Sequence, residues 1–107
     1  MKKCIVLVKP FKLADVLETL SSCPIQCLTM AEVRGYGLQK GHLDLYTGSE
    51  YKIKFLPKTR LEFYVHVEDC QSVLEKVVTA AKTGRIGDGK IFIIDTENLQ
   101  LNITDSV

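Results

Sequence analysis

Leu61-Glu62-Phe63-Tyr64-Val65-His66-Val67-Glu68 is followed by Asp69-Cys70-Gln71-Ser72-Val73-Leu74, and within this stretch the apolar period changes. Leu61, Phe63, Val65 and Val67 alternate with Glu62, Tyr64, His66 and Glu68, the pattern of a half-buried strand. Asp69 is then expected as an N-cap, and Val73, Leu74, Val77, Val78 and Ala81 form the apolar stripe of a helix that Gly84 can terminate. Ile91-Phe92-Ile93-Ile94 supplies another strand beyond it, and the tail after Thr96 has room for a short edge strand. Toward the N-terminus the same grammar repeats. Lys3 to Val8 read as a buried strand closed by Lys9-Pro10, since proline offers no ladder donor. Leu13, Val16, Leu17 and Leu20 place one stripe on a helix stopped by Ser21-Ser22 and Pro24, and Cys27 to Arg34 give a further strand.

The order is therefore β-α-β-β-α-β. This is the plan of an α+β, ferredoxin-like sandwich, an antiparallel sheet with both helices on one face. With 107 residues, 46% hydrophobic and 25% charged, the chain has material for one core, so residues 1–107 are read as a single domain. Fourteen Lys plus Arg against 13 Asp plus Glu leave a formal charge of +1, which excludes a general nucleic-acid binder. The apolar run Cys4 to Val8, bounded by Lys3 and Lys9, is too short for a signal-peptide core or a membrane span, so a cytoplasmic protein without direct membrane insertion is expected. Cysteines at 4, 23, 27 and 70 are read as reduced core thiols, in preference to a metal set built from Cys23, Cys27, His66 and Cys70. So many apolar residues in short strands suggest that a second copy covers the open sheet face; the alternative is a monomer with a wide amphipathic sheet.

Two segments can carry function. From Gly37 to Pro57 the chain runs for about 20 residues without a core pattern, beyond the roughly 12 to 15 that compact domains usually keep as loop. It is read as a partner-contacting or modified loop, or else as a β-hairpin extension in which Leu43, Leu45, Ile53 and Phe55 alternate. Residues Thr83 to Lys90 contain G-x-x-x-x-G-K, but Ile91 occupies the place of the metal-binding Ser or Thr, and the order helix, loop, strand is the reverse of a P-loop. Its glycines and Lys90 still suit an anion-binding nest, with a simple loop-closing turn as the equal alternative. Gly35-Tyr36-Gly37 closes the second strand where backbone can approach a ligand, and Lys58 and Glu62 stand near the same end of the sheet.

Taken together, Val8-Lys9-Pro10-Phe11-Lys12-Leu13, Glu32-Val33-Arg34-Gly35-Tyr36-Gly37, Gln39-Lys40-Gly41-His42, Phe55-Leu56-Pro57-Lys58 and Thr83 to Phe92 resemble the PII nitrogen-regulatory signal proteins over nearly the whole chain. The resemblance implies a compact homotrimer with a projecting T-loop at about 37–57, a phosphate-binding turn at about 83–90, a C-terminal segment at 96–107, and nucleotide sites in the clefts between subunits. It implies a sensor of ATP or ADP, Mg²⁺ and 2-oxoglutarate, not an enzyme, that regulates an ammonium channel, an enzyme or a regulator through the T-loop. Carried over by residue, Gly87, Asp88, Gly89 and Lys90 would cradle phosphates, and Thr29, Gly35, Gly37 and Glu62 would line the nucleotide cleft. Gln39 would help hold Mg²⁺ and 2-oxoglutarate, Gly41 and Lys58 would meet 2-oxoglutarate, and Tyr51 matches the tyrosine that some members have uridylylated.

This chain departs from the family pattern where Leu38, Leu101 and Ile103 replace arginines, so weakened triphosphate binding is expected, with ADP or AMP competing better unless Lys40, Arg60 or Arg85 substitutes. Thr47 stands where the modification signature carries a basic residue, and the tail after Asp95 differs from the loop that closes over the nucleotide. The alternative is a divergent adaptor that senses another small molecule and regulates a different transporter or enzyme. An RNA-recognition domain lacks its glycine-aromatic signature here, and an acylphosphatase would need an arginine where Lys9-Pro10-Phe11-Lys12 stands.

Overall fold

The computed structural model describes residues 1–35, 56–85, 87–97 and 103. Strand β1 (Lys2–Val8) leads through a 3-10 turn (Pro10–Lys12) into helix α1 (Leu13–Ser21). Strands β2 (Ile25–Gly35) and β3 (Leu56–Val65), helix α2 (Val67–Ala81) and strand β4 (Gly89–Asp95) follow. The sheet order is β2-β3-β1-β4, antiparallel at every pairing. The α+β, ferredoxin-like reading of the alternation stands at this level. β3 begins at Leu56, so the last two residues assigned to the long loop, Leu56 and Pro57, belong to the strand.

Alternation decides which face is buried. Cys4, Val6 and Val8 of β1 lie in register with Phe63, Leu61 and Thr59 of β3, and all six are buried. Val16 and Leu20 of α1 and Val73 and Val77 of α2 join the same core, which places both helices on that face. Helix α2 begins earlier than the N-cap reading at Asp69: His66 precedes its first turn and makes no side-chain capping bond. Glu68 and Asp69 instead occupy the first turn, where their charge complements the helix dipole. The helix ends at Ala81, before Gly84, because Lys82 is already extended; Gly84 then turns the chain at φ +85°.

The opposite face carries Ile5 opposite Glu62 and Phe92, and Leu7 opposite Arg60 and Lys90. Phe92 and Ile94 remain 49% and 43% exposed, leaving apolar area among charges for another surface to cover. The cysteines divide. Cys4 and Cys70 are buried as read, with the Cys4 thiol pushed up to about 12 by burial and by the neighbouring Cys70, whereas Cys27 is exposed.

Cys27 corrects the core reading. It has φ +56° where the β2–β3 register shifts between Gln26 and Thr29, a left-handed residue in a bulge. A side chain there costs conformational energy without packing in return, so Cys27→Gly is expected to stabilise the fold by about 0.5–1 kcal/mol. Urea titration at fixed protein concentration checks the sign.

Candidate functional site

Register brings four chain segments to one end of the sheet. Val8 pairs with both Thr59 and Gly89, and Gly35 pairs with Leu56. The end of β1, the ends of β2 and β3 that adjoin residues 36–55, and the turn entering β4 therefore meet. Gly89 permits the closest of these approaches: with φ +144°, a Cβ on it would lie 1.9 Å from the Leu7 carbonyl oxygen. Only glycine lets β4 begin at that point.

The turn itself is braced by Asp88. Its Oδ2 accepts the backbone N–H groups of Thr83 at 2.7 Å and Gly84 at 3.0 Å, and its Oδ1 accepts the Thr83 hydroxyl. Lys9 Nζ, just past β1, lies 3.3 Å from Oδ1. These donors, the Thr83 hydroxyl foremost, hold the Asp88 carboxyl well below the usual carboxylate range. Asp88, placed with the phosphate cradle by sequence, thus has its carboxylate committed inside the turn.

Lys58 of β3 reaches the same turn and donates to the Gly87 carbonyl at 2.5 Å. It is half-buried, and desolvation first, then the nearby Lys9, lowers its pKa against the pull of Asp88. An anion arriving there would repay that desolvation and replace the Gly87 carbonyl as the ammonium's partner. Lys90 is exposed on β4 beside Leu7.

Thr29 and Glu62 are in register on neighbouring strands, so two residues assigned to the nucleotide cleft share one place on the sheet. The Glu62 carboxylate accepts from Arg60 Nη2 and has Lys3 Nζ at 3.8 Å. Arg60, weighed by sequence as a stand-in for missing arginines, gives Nη2 to this pair, while its buried Nε has no hydrogen-bond partner among the described residues; the alternation of Arg60 and Glu62 on one strand face is the available signal. Thr29 is on edge strand β2 and Lys90 on the opposite edge strand β4, with β3 and β1 between them. At about 4.8 Å per strand the two edges are some 14 Å apart.

Gly37, Leu38, Gln39, Gly41, Tyr51 and Leu101 lie outside the described residues, as does most of the long loop. Ile103 is described and fully exposed. The literal P-loop fails as expected, because the turn runs from α2 to β4. Among the described residues, no three His, Cys, Asp or Glu side chains gather as metal ligands, so Cys23, Cys27, His66 and Cys70 do not form that set. No described helix is long and apolar enough to cross a membrane. Lys9 and Thr83 are the functional candidates that sequence reasoning quoted without a role; the pairing of Val8 with Gly89 supplies the missing link.

A family model described as nitrogen regulatory protein P-II matches residues 1–105. The chain is 50% identical over 99 residues to a nitrogen regulatory protein P-II of Pasteurella multocida, covering 92% of this chain and 88% of that protein. It is 48% identical over 99 residues to the nitrogen regulatory protein GlnK of Escherichia coli K12, with the same coverage of 92% and 88%. A nitrogen regulatory protein P-II of Rhizobium meliloti is 46% identical over 99 residues.

Proposed function

The chain belongs to the nitrogen regulatory protein P-II family, and from that premise we propose that it senses adenine nucleotide and 2-oxoglutarate at clefts between subunits of a homotrimer. The observation that carries this reading is the Gly87–Lys90 turn, joined to β3 by the half-buried Lys58 and flanked by Lys9. Glycine-rich backbone beside concentrated cations is chemistry suited to phosphate and carboxylate. Thr29 and Lys90 occupy opposite sheet edges, too far apart for one compact ligand group to touch both in one chain. In a ring, the β2 edge of one subunit would meet the β4 edge of the next and close the cleft, burying Phe92 and Ile94 as it formed.

In this reading Gly87, Asp88, Gly89 and Lys90 hold phosphates by backbone and cation, while Thr29, Gly35, Gly37 and Glu62 surround the rest of the nucleotide. Gln39, Gly41 and Lys58 receive 2-oxoglutarate. Asp88 is bonded to Thr83, Gly84 and Lys9, and Gln39 is the residue that the family resemblance assigns to Mg²⁺. Held there with phosphate oxygens, Mg²⁺ would supply neutralising charge between the two ligands. Nucleotide and keto acid then bind cooperatively, and the resulting charge selects a T-loop conformation with which this cytoplasmic protein engages or releases a protein partner, an ammonium channel being one candidate. Tyr51 serves that loop as a contact or a uridylylation site.

A second reading gains from Arg60. Its Nη2 is held by Glu62, and it offers one guanidinium against the three arginines missing at Leu38, Leu101 and Ile103. Affinity then shifts toward ADP or AMP, as in an adaptor whose regulated target differs from that of ordinary members. A thermal-shift screen of ATP, ADP, AMP, cyclic nucleotides, 2-oxoglutarate and bicarbonate separates the two, since a ligand that prefers the native state raises its melting temperature. The first reading expects ATP with Mg²⁺ to shift most and 2-oxoglutarate to add to it; the second expects ADP or AMP to lead. No shift with any adenine nucleotide would overturn both. Lys58→Met is expected to weaken 2-oxoglutarate binding roughly 10- to 100-fold, the worth of one charge-assisted bond, as read by calorimetry.

A further inference from the structure

An aspartate inside a turn that binds anions is an electrostatic contradiction unless its charge is cancelled where it stands. Both oxygens of Asp88 are already committed: Oδ2 to the N–H groups of Thr83 and Gly84, Oδ1 to the Thr83 hydroxyl and the Lys9 ammonium. The Thr83 hydroxyl in turn accepts the Arg85 N–H at 3.2 Å, so one side chain secures both ends of the bend. Lys9 belongs to a different part of the chain, immediately after the strand whose Val8 pairs with Gly89. The contact therefore ties the turn to the sheet and supplies the neutralising charge together.

We propose that Lys9 and Thr83 are positioning residues for the anion-binding turn, acting through Asp88 to fix the bend and to cancel the carboxylate charge that would otherwise repel the ligand's phosphates. This rests on the nucleotide reading of the same turn. The donors around Asp88 also keep it ionised at neutral pH, so the charge to be cancelled is present whenever ligand binds.

The consequence is a dependence on ligand charge that loss of shape alone does not produce. With Lys9→Met, the carboxylate loses its ion-pair partner and keeps only the electrostatic pull of Lys58, so it repels ATP more than ADP and ADP more than AMP. Affinity is expected to fall about 3-fold for AMP and about 10-fold or more for ATP at low salt, the gap narrowing as salt is added. Adding Asp88→Asn to Lys9→Met removes the repelling charge and should recover most of the ATP-specific part of the loss.

Calorimetric titration of AMP, ADP and ATP into the unsubstituted protein, Lys9→Met and the double variant, with melting curves alongside, tests this. A graded loss recovered by Asp88→Asn supports the proposal. Equal affinities, or an equal loss for all three nucleotides, would overturn it while leaving the nucleotide reading intact; absence of binding by the unsubstituted protein would overturn both. Should Lys9→Met fail to fold, Thr83→Val against Thr83→Ser tests the fixing of the bend, because serine keeps the hydroxyl that donates to Asp88. Loss in the valine variant with recovery in serine supports the role, and indistinguishable variants refute it.

Discussion

Gly89→Ala is expected to cost about 3 kcal/mol of stability and to abolish nucleotide binding in whatever fraction still folds. The methyl group would lie 1.9 Å from the Leu7 carbonyl oxygen and 3.0 Å from the Leu7 carbonyl carbon, both backbone atoms in a central strand that cannot step aside. At φ +144° the alanine would also be strained in its own right. Relief requires β4 to detach from β1 at its first pair, Val8 with Gly89, which displaces the turn that Asp88 braces. Fold and site fail together because one residue serves both. Urea denaturation at fixed protein concentration reads the first loss, and calorimetry with ATP and with ADP reads the second. A variant of native stability and affinity would show that the turn is not held against β1 in this way.

Phe63→Ala is the other large loss, about 3–5 kcal/mol. Phe63 is the largest of the fully buried side chains among the described residues and stands on β3, the strand paired with both β1 and β2, in register with Cys4. Neither helix can collapse into the space it leaves without losing contacts of its own, so most of the cavity cost persists. The denaturation midpoint should fall steeply while the slope of the transition stays near its native value. If the variant kept the native midpoint, the packing described for this core would be wrong.

Legibility in the sequence followed the kind of signal available. Alternation along Leu61 to Val65 and the stripe from Val73 to Ala81 are strictly periodic, and both elements lie where the pattern puts them. The start of α2 is masked in the sequence because His66 and Val67 prolong the strand alternation by two residues, and Asp69 resembles a cap although it occupies the first turn. Nothing in the sequence marks a bulge at Cys27, where no Gly or Asn stands, whereas the register shift leaves it exposed at positive φ.

At the site, glycine content pointed to the turn itself, since Gly84, Gly87 and Gly89 all take positive φ. The contact of Lys9 with Asp88 depends on the antiparallel pairing of β1 with β4, which no local window contains. The commitment of Arg60 to Glu62 was within reach, because residues two apart on a strand share a face.

The central claim is that an adenine nucleotide is gripped where two sheet edges of neighbouring subunits meet. Native mass spectrometry of the protein with ATP or ADP and Mg²⁺ tests it in one spectrum, since it reports assembly and ligand count together. The account predicts a trimer of 12.0 kDa chains carrying up to one nucleotide per chain, with 2-oxoglutarate raising the fully loaded fraction. Single chains, or trimers that stay empty at nucleotide concentrations that saturate ordinary members of the family, would contradict it.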